Sequence, residues 1–155
     1  MFGLKMSKKS ARIAELIENC RGQRLPSYYL AYFECFNREL FFESHDVLEE
    51  LWLLDRTSPN HSFYKALIQL AGAFVHLQKD RLRPSAALFK LAHANLRKYP
   101  SVHEYLDVRC VLVLVEAWLN RLEASEFRIN PLRQYPAPKL TLLDLAPAPS
   151  SAPNS

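Results

Sequence analysis

Phe36 to Trp52 reads FNRELFFESHDVLEELW, and Phe63 to Gln78 reads FYKALIQLAGAFVHLQ. Both runs repeat apolar residues at the 3.6-residue period of an amphipathic helix. Polar groups interrupt the apolar stripe of each. In the first, His45, Leu48, Glu49 and Trp52 fall at i, i+3, i+4 and i+7, so one face carries an imidazole, a carboxylate and an indole. In the second, Gln69, Gly72, Ala73 and His76 repeat that spacing. An unpaired buried polar group costs roughly 1–3 kcal/mol, so these two faces are expected to meet and satisfy one another.

Working outward, the 155 residues suit one domain with a single core. Hydrophobic residues make up 49% and charged residues 23%, with only three glycines, the balance of a soluble helical protein. The expectation is an all-α fold, a single compact bundle of about five to six helices with a Pro-rich tail. Residues 1–24 read as an N-terminal helix and connector, 25–130 as the bundle, and 131–155 as a largely disordered tail.

The first helix runs to Asn19, capped by Ser7 or Ser10, with Ile13, Leu16, Ile17 and Cys20 inward and Gly22 ending it. Tyr28 to Phe36 resumes the pattern, Asn37 to Glu39 breaks it, and the next helix spans about Leu40 to Leu54, with Glu43, Asp46 and Glu50 on its wet side. Asp55 to His61 is a loop. Ser62 caps the helix carrying Phe63, Leu67, Leu70, Phe74 and Leu77, in which Gly72 allows a neighbouring backbone to approach. Pro84 opens a further helix that ends before Pro100. Val108 to Leu122 is apolar on nearly every side, which suits a central helix, with a homodimer contact as its alternative use. After Asn130 the prolines concentrate, and Leu140 to Leu145 reads as an extended strap.

The net charge of +4 is spread along the chain rather than massed on one face, which makes nucleic-acid association the least favoured reading. Such a protein would use the turn holding Lys79, Arg81 and Arg83. Cys20, Cys35 and Cys110 are odd in number and lack a C-x-x-C pair, as a reducing cytoplasm allows. Neither a signal peptide nor a membrane span is expected, and no membrane partner.

The two quoted runs resemble the small bacterial and archaeal family known as domain of unknown function 309. Its form is a Phe-Asn start, a His-Glu-x-Leu-Glu-x-x-Trp helix, and a second helix of Leu-Ile-Gln-x-Ala…His type. The matching residues are Asn37, His45, Glu49, Trp52, Gln69 and His76, with Asp46 where the family commonly has Glu. After His76 the sequence LQKDRLRPSA departs from the usual Gly-Asn turn. The resemblance implies a compact helical protein, and some members carry the label of predicted metal-dependent hydrolase.

Two uses of these residues follow. In the preferred one, Glu49 accepts a hydrogen bond from His76 or Gln69, His45 pairs likewise, and Trp52 packs over the network, leaving a polar cleft for a small ligand or protein partner. In the alternative, His45, Glu49 and His76 hold a divalent metal that activates water for hydrolysis, with Asp46 or Glu43 as base. The sequence H-D-x-x-E lacks the second histidine of a zinc helix, and no residue is assigned as catalytic. His61 reads as a loop residue, and His93 and His103 as surface or half-buried.

Overall fold

A computed structural model describes residues 8–19, 21 and 25–143. The roles expected of Ser7, Cys20, Gly22 and the tail beyond Leu143 fall outside these residues, as does the Ser10 side chain. Six helices follow in order: α1 (Lys8–Asn19), α2 (Ser27–Asn37), α3 (Phe41–Leu54), α4 (His61–Gln78), α5 (Leu82–Leu96) and α6 (Val108–Ala124). A short antiparallel ribbon, β1 (Val102–His103) with β2 (Leu106–Asp107), precedes α6, and a 3-10 turn covers Pro131–Arg133. Glu104 and Tyr105 join the two strands with φ of 48° and 61°, the backbone of a tight primed hairpin turn. No described helix is long and apolar enough to cross a membrane.

The helices pack on their neighbours in chain order. Alternate helices also touch: Phe74 of α4 meets Phe36 of α2 at 5.7 Å and Trp118 of α6 at 5.0 Å between ring centroids. Tyr32 of α2 donates its hydroxyl to the Leu67 carbonyl of α4 at 2.6 Å. The α4 helix is therefore the centre, burying eleven of its residues from Phe63 to Leu77. The expectation that the last long helix would be central fails, because α6 leaves Val113 65% exposed and buries one stripe, Val108, Val111, Val115, Trp118 and Leu122.

One arrangement occurs twice. At the end of α2, Glu39 adopts φ 62° while Glu39 N donates to Phe36 O and Leu40 N to Cys35 O. At the end of α4, 41 positions later in each case, Asp80 adopts φ 58° while Asp80 N donates to Leu77 O and Arg81 N to His76 O. Both are left-handed helix stops of the Schellman type, here without glycine. The following helix then reaches back with a serine: Ser44 Oγ donates to Tyr32 O at 3.0 Å, and Ser85 Oγ to Ala73 O at 2.9 Å. Helices α2–α3 and α4–α5 are thus two copies of one helical hairpin.

Three local expectations are corrected. Glu43 is not on a wet face; it is 7% exposed in the first turn of α3. Ser62 lies inside α4, whose first residue is His61, and Asn60 precedes the helix with its amide committed to His103 and Glu104. Gly72 faces side chains rather than a backbone: a Cβ there would stand 3.0 Å from Leu88 Cδ1 and 3.9 Å from His45 Cδ2.

Candidate binding groove between α3, α4 and α5

His45 occupies α3 one turn before Glu49, and its ring borders Gly72, with Cδ2 3.9 Å from where a Cβ at that position would stand. A groove of about 220 Å³ opens beside it. Phe42, Ile68, Val75 and Leu88 supply its apolar walls, and His45, Gln69, Gly72 and His76 complete the lining. The two imidazoles that the periodicity set on facing helices thus share one depression.

The polar groups do not pair as expected. Gln69 Oε1 accepts from Asn95 Nδ2 at 2.9 Å, and Asn95 Oδ1 accepts in turn from Lys98 Nζ at 3.0 Å. This relay engages one lone pair of the Gln69 amide oxygen, and no hydrogen bond from its N–H groups is found among the described residues. Among the described residues no hydrogen bond joins Glu49 to His76 or Gln69. His76 Nδ1 is buried with no partner among the described residues. Burial, and then the Arg81 and Lys79 cations, hold its pKa below the usual histidine value of 6.5. At neutral pH the ring is uncharged, with one nitrogen donating and the other accepting.

That shift sets a pH dependence. Below pH 6.5 the unfolded chain takes up a proton at residue 76 before the folded protein does, so stability is complete above that value and declines as the pH falls toward the folded pKa. Chemical melts at pH 7.5 and 5.0 are expected to show this loss, and His76→Gln to reduce it.

Around the groove, His45 Nδ1 lies 3.2 Å from Asp46 Oδ1, and ligand atoms of His45, Asp46 and Glu49 fall within 4.8 Å of one another. One imidazole and two carboxylates from adjoining turns of one helix suit a divalent cation with open positions. His76, part of the set expected from the sequence, is not in that cluster.

Asn37 and Trp52 lie elsewhere. Asn37 holds the C-terminal segment, its Nδ2 donating to Leu140 O at 2.8 Å while its Oδ1 accepts from Leu140 N at 2.7 Å. Trp52 stacks on His61, ring centroids 5.0 Å apart, with Trp52 Nε1 and His61 Nδ1 both buried and unpartnered among the described residues. His93 pairs with Glu116 at 2.7 Å. Arg83 lies over the Phe127 ring, leaving Lys79 and Arg81 exposed on the turn. Lys98, read with Lys90 and Arg97 as a solvated face, is exposed. Asn95 went unread, and its only signal is an amide three residues beyond Ala92, at the edge of the α5 packing face.

Residues 29–88 match the model of a family described as Domain of unknown function (DUF309). All eight groove residues fall inside that stretch. No curated protein and no solved structure matches the chain.

Proposed function

We propose that the DUF309 domain this chain carries over residues 29–88 is a small-ligand-binding module whose site is the groove between α3, α4 and α5. The observation that carries this reading is the convergence of His45, Gln69 and the unpartnered His76 on one apolar depression. The volume exceeds the ~150 Å³ of a cavity that holds benzene, which allows a ring or short chain with one polar group. The Gln69 N–H groups and the donating nitrogen of the neutral His76 ring suit a polar group with an accepting oxygen, such as a carboxylate or amide. A cytoplasmic setting belongs to the same reading, supported by Cys110, an exposed thiol that forms no disulfide among the described residues.

The test is a panel of small aromatic and aliphatic carboxylates and amides, followed through the imidazole resonances of the histidines. A ligand that fits moves the His45 and His76 signals together and saturably, and His76→Ala weakens it at least tenfold. Gly72→Ala is expected to leave the fold intact, because its gain of roughly 1 kcal/mol in helix propensity offsets the displacement of the flexible end of Leu88, yet to weaken the ligand. Ligands that raise the melting temperature without moving either ring would place the site elsewhere.

A metal-dependent hydrolase is the second reading, favoured by the proximity of His45, Asp46 and Glu49. Those three residues would hold a divalent ion, which when bound supplies Lewis acidity toward water. Metal analysis of protein purified without a histidine tag separates the two readings. A stoichiometric ion lost in Asp46→Asn supports the hydrolase.

A further inference from the structure

Asn37 is not among the residues that line the groove, and its carboxamide makes an unusual contact. It engages both backbone polar groups of a single residue, Leu140, at 2.8 and 2.7 Å. A neighbouring β-strand would bond an extended residue in the same way, by its N–H and its C=O together and without regard to side chain. Around this clamp the segment behaves as an extended peptide. Residues 139 to 143 alternate exposed, buried, exposed, half-buried, exposed, and Leu140 is only 4% exposed. Lys139 Nζ donates to the Asn37 carbonyl at 2.9 Å, at the C-terminal end of α2 where a cation is favoured. The next backbone bond is Leu143 N to Tyr105 O.

The space that receives the segment is larger than the segment. On the α1–α2 side a depression of about 530 Å³ remains open, lined by Leu16, Leu30, Phe33 and Asn37. On the other side a second, of about 280 Å³, is lined by Leu106, Cys110, Val111 and Leu114. Asn37 lies within the family-matched stretch, and residues 137–143 lie outside it. Among the described residues, few backbone bonds and flanks left unfilled mark the segment as one that opens at low cost.

We propose that Asn37 and the channel between α2 and α6 form a recognition site for an extended peptide, occupied in cis by residues 137–143. The site takes a segment with an apolar residue at the position of Leu140, a second one two residues later, and a basic residue just before. The Asn37 carboxamide supplies backbone recognition, and the alternate apolar side chains supply specificity. The chain's own segment competes at an effective concentration of the order of mM, so peptides in trans bind where that segment is weakened.

The experiment uses the full chain and a labelled peptide of sequence APKLTLL, copied from Ala137 to Leu143. The unaltered chain binds it weakly. Leu140→Asp, with its helical circular dichroism unchanged, binds it at least tenfold more tightly, and adding Asn37→Ala removes the gain. A peptide with aspartate at both the Leu140 and Leu142 positions does not bind. In parallel, hydrogen exchange of the Leu140 amide in the unaltered chain speeds up as the peptide is added in excess. Failure of a folded Leu140→Asp chain to bind, or binding that survives Asn37→Ala, overturns the proposal. So does a Leu140→Asp chain that unfolds while the Leu140 amide of the unaltered chain keeps its protection at saturating peptide.

Discussion

Phe74→Ala is expected to lower stability by about 3–5 kcal/mol, the usual cost of truncating a fully enclosed aromatic. Phe74 is wholly buried, and its ring packs against Phe36 of α2, Phe41 of α3, Phe89 of α5 and Trp118 of α6, with centroids 5.0 to 5.7 Å away. Rings from four other helices close on this one position, so no single neighbour can collapse into the vacated space. A domain of this size has roughly 5–15 kcal/mol in total, and each kcal/mol is worth about 2–4 °C in Tm. Thermal denaturation should therefore fall by on the order of 10 °C or more. Phe42→Ala serves as the comparison. Phe42 is 53% exposed at the edge of the groove, and its removal should cost about 0.5 kcal/mol or less. Equal losses at the two positions would mean that Phe74 is not the place where the helices meet.

The hub position was legible in part. Period alone placed Phe74 on the inward stripe of its helix with Phe63, Leu67, Leu70 and Leu77, and all five are buried. It also set His45 and His76 on facing sides, because a face is a property of spacing. Partner choice is not. Gln69 could reach toward α3 or α5 from the same backbone position, and the α5 amide of Asn95 wins because Lys98 orients it. The duplicated hairpin left almost no trace in the letters. Between the equivalent stretches 29–51 and 70–92 only Phe33 with Phe74 and Ser44 with Ser85 are identical, since a left-handed stop and a serine reaching back tolerate most side chains around them. The central role assigned to α6 failed for another reason. Its abundance of Val and Leu reads as burial on all sides, but the C-terminal segment covers only part of it and Val113 stays in solvent.

Asn130→Ala is expected to cost about 1–3 kcal/mol and to loosen everything after it, a larger effect than its place between two turns suggests. Asn130 is buried. Its Nδ2 donates to the Leu77 carbonyl at 2.6 Å and to Asp80 Oδ1 at 2.9 Å, and its Oδ1 accepts from Leu132 N at 3.0 Å. Arg133 pairs with the other oxygen of Asp80. One amide therefore closes the stop of the second hairpin and starts the segment that ends on Asn37 at the stop of the first. Alanine leaves the carbonyl of Leu77 and the amide of Leu132 without these bonds. Hydrogen exchange should then quicken at Leu132 and at Leu140, eight residues apart, whereas an isolated defect would quicken only the former. Asn130→Asp sharpens the test. The carboxylate keeps the size and the acceptor for Leu132 but turns a negative oxygen toward Leu77 O and toward Asp80, whose own carboxyl is held below its usual pKa of 3.8 by the Asn130 hydrogen bond and by Arg133. At pH 7 the aspartate variant should be less stable than the alanine variant. As the pH falls through the carboxylate range, protonation of the new side chain restores a donor and the order should reverse. The native protein loses stability over the same range as Asp80 titrates, because its depressed pKa contributes only above the unfolded value. If the two variants titrate in parallel, Asn130 does not donate to Asp80 in solution, and the tie between the two hairpin stops is made by Arg133 alone.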